Sequence, residues 1–130
     1  MNLQSPKVTV PKSAQDLFNS LSDINNFKRL MPESTVKFEI IGEDSFAFAL
    51  QGMPEIKLKI TEKNSPNRVV FGAASDKLPF TLTADIQEAS ESTSDIQLHF
   101  EGSFNPMMAM MVKGPISKFI ETLANNMDKL

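Results

Sequence analysis

Between residues 34 and 104, apolar and polar residues alternate, and this period of two is typical of strands with one buried face. Turn-forming stretches interrupt the alternation at residues 42–44, 52–54, 64–67 and 90–94, and Leu78-Pro79 opens a further strand after the one at residues 68–75. Six consecutive strands joined by such short connections predict an antiparallel meander. The predicted inward positions are almost wholly apolar: Phe38, Ile40, Phe46, Phe48, Leu58, Ile60, Phe80, Leu82, Leu98 and Phe100.

Before the meander, the pattern predicts one strand and two helices. Residues 7–10 alternate and form the first strand, with two valines on the core face. Residues 13–16 have the form of a capping box, which predicts the start of a short helix. Asp23 is placed to cap a second helix, and Pro32 ends it.

After the meander, Asn105 and Pro106 are an N-cap followed by proline at the first helical position, which predicts a helix start. Gly114 and Pro115 interrupt this helix and are expected to kink or split it. Its apolar residues fall on one stripe: Met108, Val112, Ile116, Ile120, Leu123, Met127 and Leu130, with Met111 and Phe119 beside it. The order β-α-α-β6-α predicts an α+β fold.

This order resembles the helix-grip fold of the START and birch-pollen-allergen (SRPBCC) superfamily. Members commonly begin with a valine strand, a capped helix with a bulky aromatic residue, a helix-linking Asp and a short segment ended by proline. The corresponding residues are Val8-Thr9-Val10, Lys12-Ser13-Ala14-Gln15-Asp16-Leu17-Phe18, Leu21-Ser22-Asp23 and Leu30-Met31-Pro32. The resemblance implies a curved antiparallel sheet, in strand order 1-7-6-5-4-3-2, wrapped around the long C-terminal helix.

Within that superfamily, further segments are similar to the G-type subunits of carbon monoxide dehydrogenase, a family that is associated with membrane recruitment. These segments are Gly52-Met53-Pro54-Glu55-Ile56, Asn64-Ser65-Pro66-Asn67-Arg68 and Gly102. Other relatives are polyketide cyclases or dehydratases. No catalytic residue of these families maps onto the sequence. The resemblance therefore implies the fold and a hydrophobic ligand enclosed between the sheet and the helix.

Composition narrows the function classes. The chain has 130 residues, of which 41% are apolar, so we expect a single domain over residues 1–130. A net charge of −3 argues against nucleic acid as the main partner. The absence of cysteine excludes disulfides and thiolate sites and favours a cytoplasmic location. No window is apolar enough to predict an integral membrane segment.

The expected ligand cavity is dry, because ten phenylalanines stand without any Tyr or Trp to donate a hydrogen bond. Arg68 and Ser75 are expected at its rim, where Arg68 either pairs with an acidic headgroup or is a plain surface charge. An ordinary core with no cavity would use the same apolar residues. The expected lining residues are Phe38, Phe46, Phe48, Leu58, Phe71, Phe80, Leu82, Leu98, Phe100, Met108, Met111, Val112 and Phe119.

Catalysis and metal binding find little support in the sequence. Acid–base catalysis needs titratable groups that converge in a pocket, and the inward positions offer none. His99 is the single histidine, and since it alternates with Leu98 and Phe100, we expect it on the solvated face. The carboxylates show no EF-hand spacing. We therefore expect no catalytic residue, no metal and no cofactor, and we favour a binding protein over an enzyme.

Four methionines lie within residues 107–111, near the start of the C-terminal helix. At about 100° per residue, Met108 and Met111 join the inward stripe, whereas Met107 and Met110 fall away from it. Flexible thioethers adapt to varied apolar shapes, which suits a gate at the cavity or a surface for a partner. The alternative is plain core, in which a kinked helix buries all four.

The leading hypothesis is non-enzymatic binding of a small hydrophobic molecule, such as a lipid, an isoprenoid or a polyketide-like compound. The first alternative is an enzyme of the polyketide cyclase or dehydratase kind, which would need a polar group deep in the pocket. The second alternative is an interaction module without a ligand, which would use the methionines at the helix start, for example in a homodimer.

Overall fold

The computed structural model describes residues 2–52, 55–73 and 80–130. The helices are α1 (Ala14–Leu21) and α2 (Pro106–Asn125), with 3₁₀ helices at Ile24–Leu30 and Met127–Lys129. Within the described residues, the strands are β1 (Asn2–Gln4), β2 (Val8–Val10), β3 (Thr35–Ile40), β4 (Ser45–Leu50), β5 (Ile56–Asn64), β6 (Arg68–Ala73), β7 (Phe80–Glu88) and β8 (Ser94–Gly102).

All these strands belong to one antiparallel sheet in the order β1-β8-β7-β6-β5-β4-β3, and β2 also pairs with β8. The expected order is confirmed, since the N-terminal segment pairs with the last strand. The prediction of one N-terminal strand is wrong, because two short strands lie along β8. Pro6 lies between them and has no N–H to donate to the sheet, so the pairing is interrupted there.

Side chains cap both α-helices where the sequence predicts it. The Oγ of Ser13 accepts a hydrogen bond from the backbone N–H of Asp16 at 3.1 Å. The Oδ1 of Asn105 accepts one from the backbone N–H of Met108 at 2.8 Å. Each cap satisfies one of the backbone donors that a helix start leaves without a partner.

The segment that follows α1 is a 3₁₀ helix, whereas the sequence pattern predicts an ordinary helix. Its cap is as predicted: the Oδ1 of Asp23 accepts a hydrogen bond from the backbone N–H of Asn25 at 3.0 Å. Hydrogen bonds from the side chain and the backbone of Asn25 lower the pKa of Asp23. Pro32 leaves room for only a short helix, and short helical segments often take the tighter 3₁₀ form.

One apolar core lies between the sheet and the helices. From Leu82 to Ile86 on β7 and along the whole of β8, every second residue is buried, and the residues between them are half-buried or exposed. The face of the sheet that carries these buried residues is its inner face, and the opposite face is its outer face. The residues that α2 contributes to the core are Val112, Ile116, Phe119, Ile120, Leu123 and Ala124.

Strand β3 departs from the predicted burial. Val36 is 68% exposed and Ile40 is 40% exposed, whereas Phe38 is half-buried against the core. β3 is the edge strand of the sheet, and its register on β4 shifts between Thr35 and Lys37. The shift leaves Val36 outside the paired ladder. Ile40 pairs with the buried Phe46, so it lies on the inner face as predicted, but at the edge of the sheet it is not buried.

Helix α2 continues through Pro115, so the predicted split does not occur. Proline has no N–H, and the backbone carbonyl of Met111 therefore lacks its usual helical donor. Both residues are exposed, so water can hydrogen-bond to this carbonyl.

We expect Gly114→Ala to raise the free energy of unfolding by about 0.5–1 kcal/mol, because alanine restricts the unfolded chain and favours helix. Gly114 is exposed within α2, and an added Cβ would meet no atom within 4 Å. The control is Gly52→Ala, which should lose about 1 kcal/mol, since Gly52 has a φ of 83°. Urea denaturation measures both, and a loss of stability in Gly114→Ala would contradict the expectation.

Candidate functional site

Most of the predicted cavity residues lie together between the sheet and α2. Phe38, Phe80 and Met108 are partly buried against this core. The others, apart from Met111, are at most 4% exposed: Phe46, Phe48, Leu58, Phe71, Leu82, Leu98, Phe100, Val112 and Phe119. The predicted residues therefore share one apolar interior, and their contact with a ligand stays a prediction.

Phenylalanine rings pack closely in the part of this interior next to β4. The ring centroid of Phe46 lies 4.8 Å from that of Phe27, 5.3 Å from that of Phe38 and 6.0 Å from that of Phe48. The ring of Phe48 stacks on Phe119 of α2, with centroids 4.9 Å apart. These are the distances of rings in direct contact, so this part of the interior is packed as a core.

A second group of rings lies where β8 leads into α2. Phe100 stacks on Phe80 at 5.0 Å and on Phe104 at 6.1 Å. The alternating pattern extends to residue 104, but β8 ends at Gly102, and Phe104 belongs to the connection. A Cβ at Gly102 would lie 2.8 Å from the Phe104 ring, so glycine makes room for this ring.

A groove, which we call the α2 groove, opens between α2, the end of β4 and the segment before β3. Leu50 and Phe119 are each 4% exposed and form its base, whereas Ser34, Gln51 and Lys118 are exposed at its rim. An apolar base with a few polar groups is typical of a small-molecule site. The α2 groove has a volume of about 190 Å³ and is lined by Pro32, Ser34, Leu50, Gln51, Pro115, Lys118 and Phe119.

The sequence predicts Phe119 in the site but misses the other groove residues. The chain brings them together through the backbone, since the N–H of Gln51 donates to the carbonyl of Ser34 at 2.9 Å. The sequence feature that could have indicated the α2 groove is the pair of prolines in its lining, Pro32 and Pro115. Proline lacks a backbone donor, so it marks positions where regular hydrogen bonding is interrupted and surface can open.

A salt bridge lies on the outer face at the β3 edge of the sheet, since Lys37 pairs with Ala49 while the neighbouring pair, Phe38 and Phe48, faces the core. The Nζ of Lys37 lies 2.6 Å from the Oε2 of Glu55. The hydrogen bond and charge of Glu55 raise the pKa of Lys37, and the same contact lowers the pKa of Glu55. Such an exposed pair adds little stability, but it fixes the charges at this edge.

Met107, Met110 and Met111 form an exposed surface at the start of α2, which we call the methionine surface; they are 75%, 84% and 66% exposed. The inward position predicted for Met111 is wrong. Met111 precedes the buried Ile116 by five residues, which places it about 140° around the helix. Met108 is half-buried. Plain core therefore does not describe the three exposed methionines.

The predicted rim residue Arg68 lies on the outer face of the sheet. Its neighbour Val69 is buried, and successive strand residues point to opposite faces. The prediction that Arg68 lines the rim of the apolar cavity is therefore wrong. His99 is on the solvated face, as predicted. Ser75, the other predicted rim residue, lies outside the described residues.

No family model matches the sequence, and no curated protein sequence matches it significantly. Solved structures do match. A point mutant of norcoclaurine synthase from Thalictrum flavum, in complex with a transition-state analogue, matches with a TM-score of 0.75 over 99% of this chain and 92% of that chain, at 16% identity. A START superfamily protein from Mycobacterium smegmatis matches with a TM-score of 0.70 over 98% of this chain and 94% of that chain, at 13% identity. The chain has the START-like helix-grip fold.

A conserved protein from Geobacillus kaustophilus also matches, with a TM-score of 0.68 over 99% of this chain and 93% of that chain, at 14% identity. The resemblance to the START and birch-pollen-allergen superfamily is thereby confirmed at the level of the fold. Similarity to the carbon monoxide dehydrogenase and polyketide cyclase families stays a prediction. In the part of the chain that the structure describes, neither helix is long and apolar enough to cross a membrane.

Proposed function

We propose that the protein binds a small apolar molecule between the sheet and α2 and admits it through the α2 groove. The observation that carries the proposal is the buried pair Leu50 and Phe119 at the base of a groove with an exposed polar rim. The helix-grip fold supports it, because proteins with this fold commonly bind hydrophobic ligands.

The volume of the groove limits the size of the ligand. It is about 190 Å³, below the roughly 300–1,000 Å³ of typical ligand pockets. A lipid-sized molecule therefore requires a side chain to move. Phe119 both lines the groove and stacks on Phe48 in the core, so rotation of the Phe119 ring would connect the groove to the predicted cavity residues.

The rim favours an amphiphile over a pure hydrocarbon. Lys118 carries a positive charge at the edge of the groove, close to its apolar base. A chain that rests on Leu50 and Phe119 removes apolar surface from water. A carboxylate headgroup at the rim would then pair with Lys118 while staying solvated. A fatty-acid-like ligand therefore matches both the apolar base and the charged rim of the groove.

The interior supports binding in preference to acid–base catalysis. Among the described residues, the buried polar side chains are Ser5 and Ser94, and each hydroxyl donates to a backbone carbonyl. Serine does not titrate near neutral pH, whereas a general acid or base must. The enzymatic alternative is supported by the likeness to norcoclaurine synthase, which has been solved in complex with dopamine and hydroxybenzaldehyde.

We expect Ser34→Trp to weaken binding of an environment-sensitive fluorescent fatty acid about ten-fold or more, equivalent to about 1.4 kcal/mol. The indole would fill the groove from its rim. Ser34 is exposed, so the fold should stay within about 0.5 kcal/mol of the wild type. The measurement is a fluorescence titration together with thermal melts of both proteins.

The matched control is Ser92→Trp, which adds the same ring at an exposed position in the β7–β8 loop. It should bind the fatty acid as the wild type does. Failure of the wild type to bind the fluorescent fatty acid would contradict the proposal, and so would equal affinity in wild type and Ser34→Trp. Chemical conversion of a bound substrate would favour the enzymatic alternative.

A second candidate function is supported by the methionine surface, because exposed apolar patches mark interaction sites. The same patch on two copies can pair about a two-fold axis and form a homodimer. Light scattering over a range of protein concentrations distinguishes this candidate. A monomer at every concentration would contradict it and leave ligand binding as the function.

A further inference from the structure

The outer face of the sheet holds a cavity of about 470 Å³, which we call the outer cavity. This volume lies within the usual range of small-molecule sites and exceeds that of the α2 groove. The outer cavity crosses β6, β7 and β8 on the face opposite α2. It is lined by Lys7, Asn64, Asn67, Arg68, Asp85, Ile86, Gln87, Asp95, Gln97 and His99.

Asp85 lies at the centre of the outer cavity, because the sheet register pairs it with Arg68 on one side and Gln97 on the other. Its Oδ1 accepts from the Nε of Arg68 at 2.9 Å, and its Oδ2 lies 3.2 Å from the Nε2 of His99. Both carboxylate oxygens are therefore engaged. Arg68 uses only Nε in this contact, so the terminal NH₂ groups of a guanidinium held in place are available to a ligand.

Hydrogen bonds to the sheet hold the rim of the outer cavity. Ser5 is 3% exposed; its N–H donates to the carbonyl of Leu98, and its Oγ accepts from the N–H of Leu98, each at 2.9 Å. The Nε2 of Gln97 donates to the carbonyl of Ser5 at 3.0 Å. These bonds fix the chain two residues before Lys7, which lines the cavity.

The opposite rim is the turn between β5 and β6, and it is fixed to β7. The backbone N–H of Ile86 donates to the carbonyl of Asn67 at 2.7 Å. The N–H of Asn67 in turn donates to the carbonyl of Asn64 at 2.8 Å, which closes the turn. Both rims are therefore attached by backbone hydrogen bonds, and the cavity is formed before any ligand arrives.

The charges decide the class of ligand. Arg68 and Asp85 form an ion pair in which their charges balance. The Oδ1 of Asp95 already accepts from the hydroxyl of Thr9 at 2.7 Å. A bare metal cation needs several free carboxylate or carbonyl oxygens, which these two acids do not supply. Arg68 still offers the N–H donors of its terminal NH₂ groups, and Lys7 adds an ammonium group to the lining. A guanidinium matches the paired oxygens of a carboxylate or a phosphate.

We propose that the outer cavity binds the oxyanion of a small molecule, a carboxylate or a phosphate, with Arg68 as the main contact and Lys7 as the second. Asp95 pairs with Gln87, two residues along β7 from Asp85. At a rise of about 3.4 Å per residue, Asp95 therefore lies about 7 Å further along the sheet. The anion binds at the Arg68 end, and its repulsion by Asp95 orients the rest of the ligand.

The single histidine supplies the test, since the ring signals of His99 in an NMR spectrum report on this cavity alone. Wild-type protein is titrated separately with inorganic phosphate and with citrate, and sodium chloride keeps the ionic strength constant. We expect a saturable shift of the His99 signals with at least one of them. The anion that saturates at lower concentration identifies the phosphate or the carboxylate as the group recognised.

Arg68→Ala should weaken this binding about ten-fold or more, since a charge-assisted, forked contact is lost. Arg68→Lys keeps the charge without the fork and should also weaken it. The matched control is Arg29→Ala, which removes the same charge at an exposed position outside the cavity lining and should bind as the wild type does.

Lys7→Ala leaves the pair of Arg68 and Asp85 untouched, so it tests the cavity even where Arg68→Ala disturbs the fold. It should weaken binding by a smaller factor. The proposal is overturned if neither anion gives a saturable shift, or if the Arg68→Ala and Lys7→Ala variants bind as tightly as the wild type. Binding of the fluorescent fatty acid is measured separately, so either proposal can fail without the other.

Discussion

Phe48→Ala is expected to lower the free energy of unfolding by about 3–5 kcal/mol. Removal of the buried ring takes away its packing contacts, and it also leaves a cavity in the core. Phe48 is 1% exposed, and its ring stacks on Phe119 at 4.9 Å and on Phe46 at 6.0 Å. Urea denaturation of the variant and the wild type, fitted with a shared slope, measures the difference.

The matched control for Phe48→Ala is Phe104→Ala. Phe104 is half-buried in the connection before α2, so its truncation should cost clearly less. The cost measured for Phe48→Ala also shows whether empty space lies beside this ring in the wild type. A cost below about 2 kcal/mol at Phe48 would contradict a closely packed interior at this ring, since less packing is lost beside an existing cavity.

Phe119→Ala is expected to lower stability by about 3 kcal/mol, at the low end for a buried phenylalanine, because the ring already borders the α2 groove. The same change should tighten binding of the fluorescent fatty acid about ten-fold. The void left by the ring extends the groove, and each further methylene that a chain buries contributes about 0.8 kcal/mol. Thermal melts and fluorescence titration measure the two effects.

Phe100→Ala is the control for this second effect. Phe100 is as buried as Phe119 but belongs to the ring group around Phe80 and Phe104. It should lose similar stability without tighter binding of the fatty acid. Equal or weaker binding in Phe119→Ala than in the wild type would show that the ring of Phe119 does not separate the groove from the interior.

The order of elements was predictable because it depends on local chemistry. Hydrophobic period identifies strands and helices, and Ser13, Asp23 and Asn105 cap helix starts at the predicted positions. Burial at the sheet edge was not predictable from period alone. Ile40 alternates correctly with its neighbours, yet it is 40% exposed, because β3 is the last strand of the sheet.

The two candidate sites depend on contacts between distant residues, which a single sequence does not contain. The α2 groove joins Leu50 to Phe119, and the outer cavity joins Arg68 to Asp85 and His99. Strand register decides which outward side chains meet, and loops and turns set that register. The composition therefore indicated an apolar interior, whereas the polar outer cavity appeared only with the fold.

The most direct test of ligand binding at the α2 groove is an NMR measurement of intermolecular NOEs between isotope-labelled protein and an unlabelled medium-chain fatty acid. We expect NOEs from the acyl chain to the methyl groups of Leu50 and to the ring of Phe119, which form the groove base. NOEs confined to the exposed methyl groups of Met107 and Met110, or none at saturating fatty acid, would contradict binding at the α2 groove.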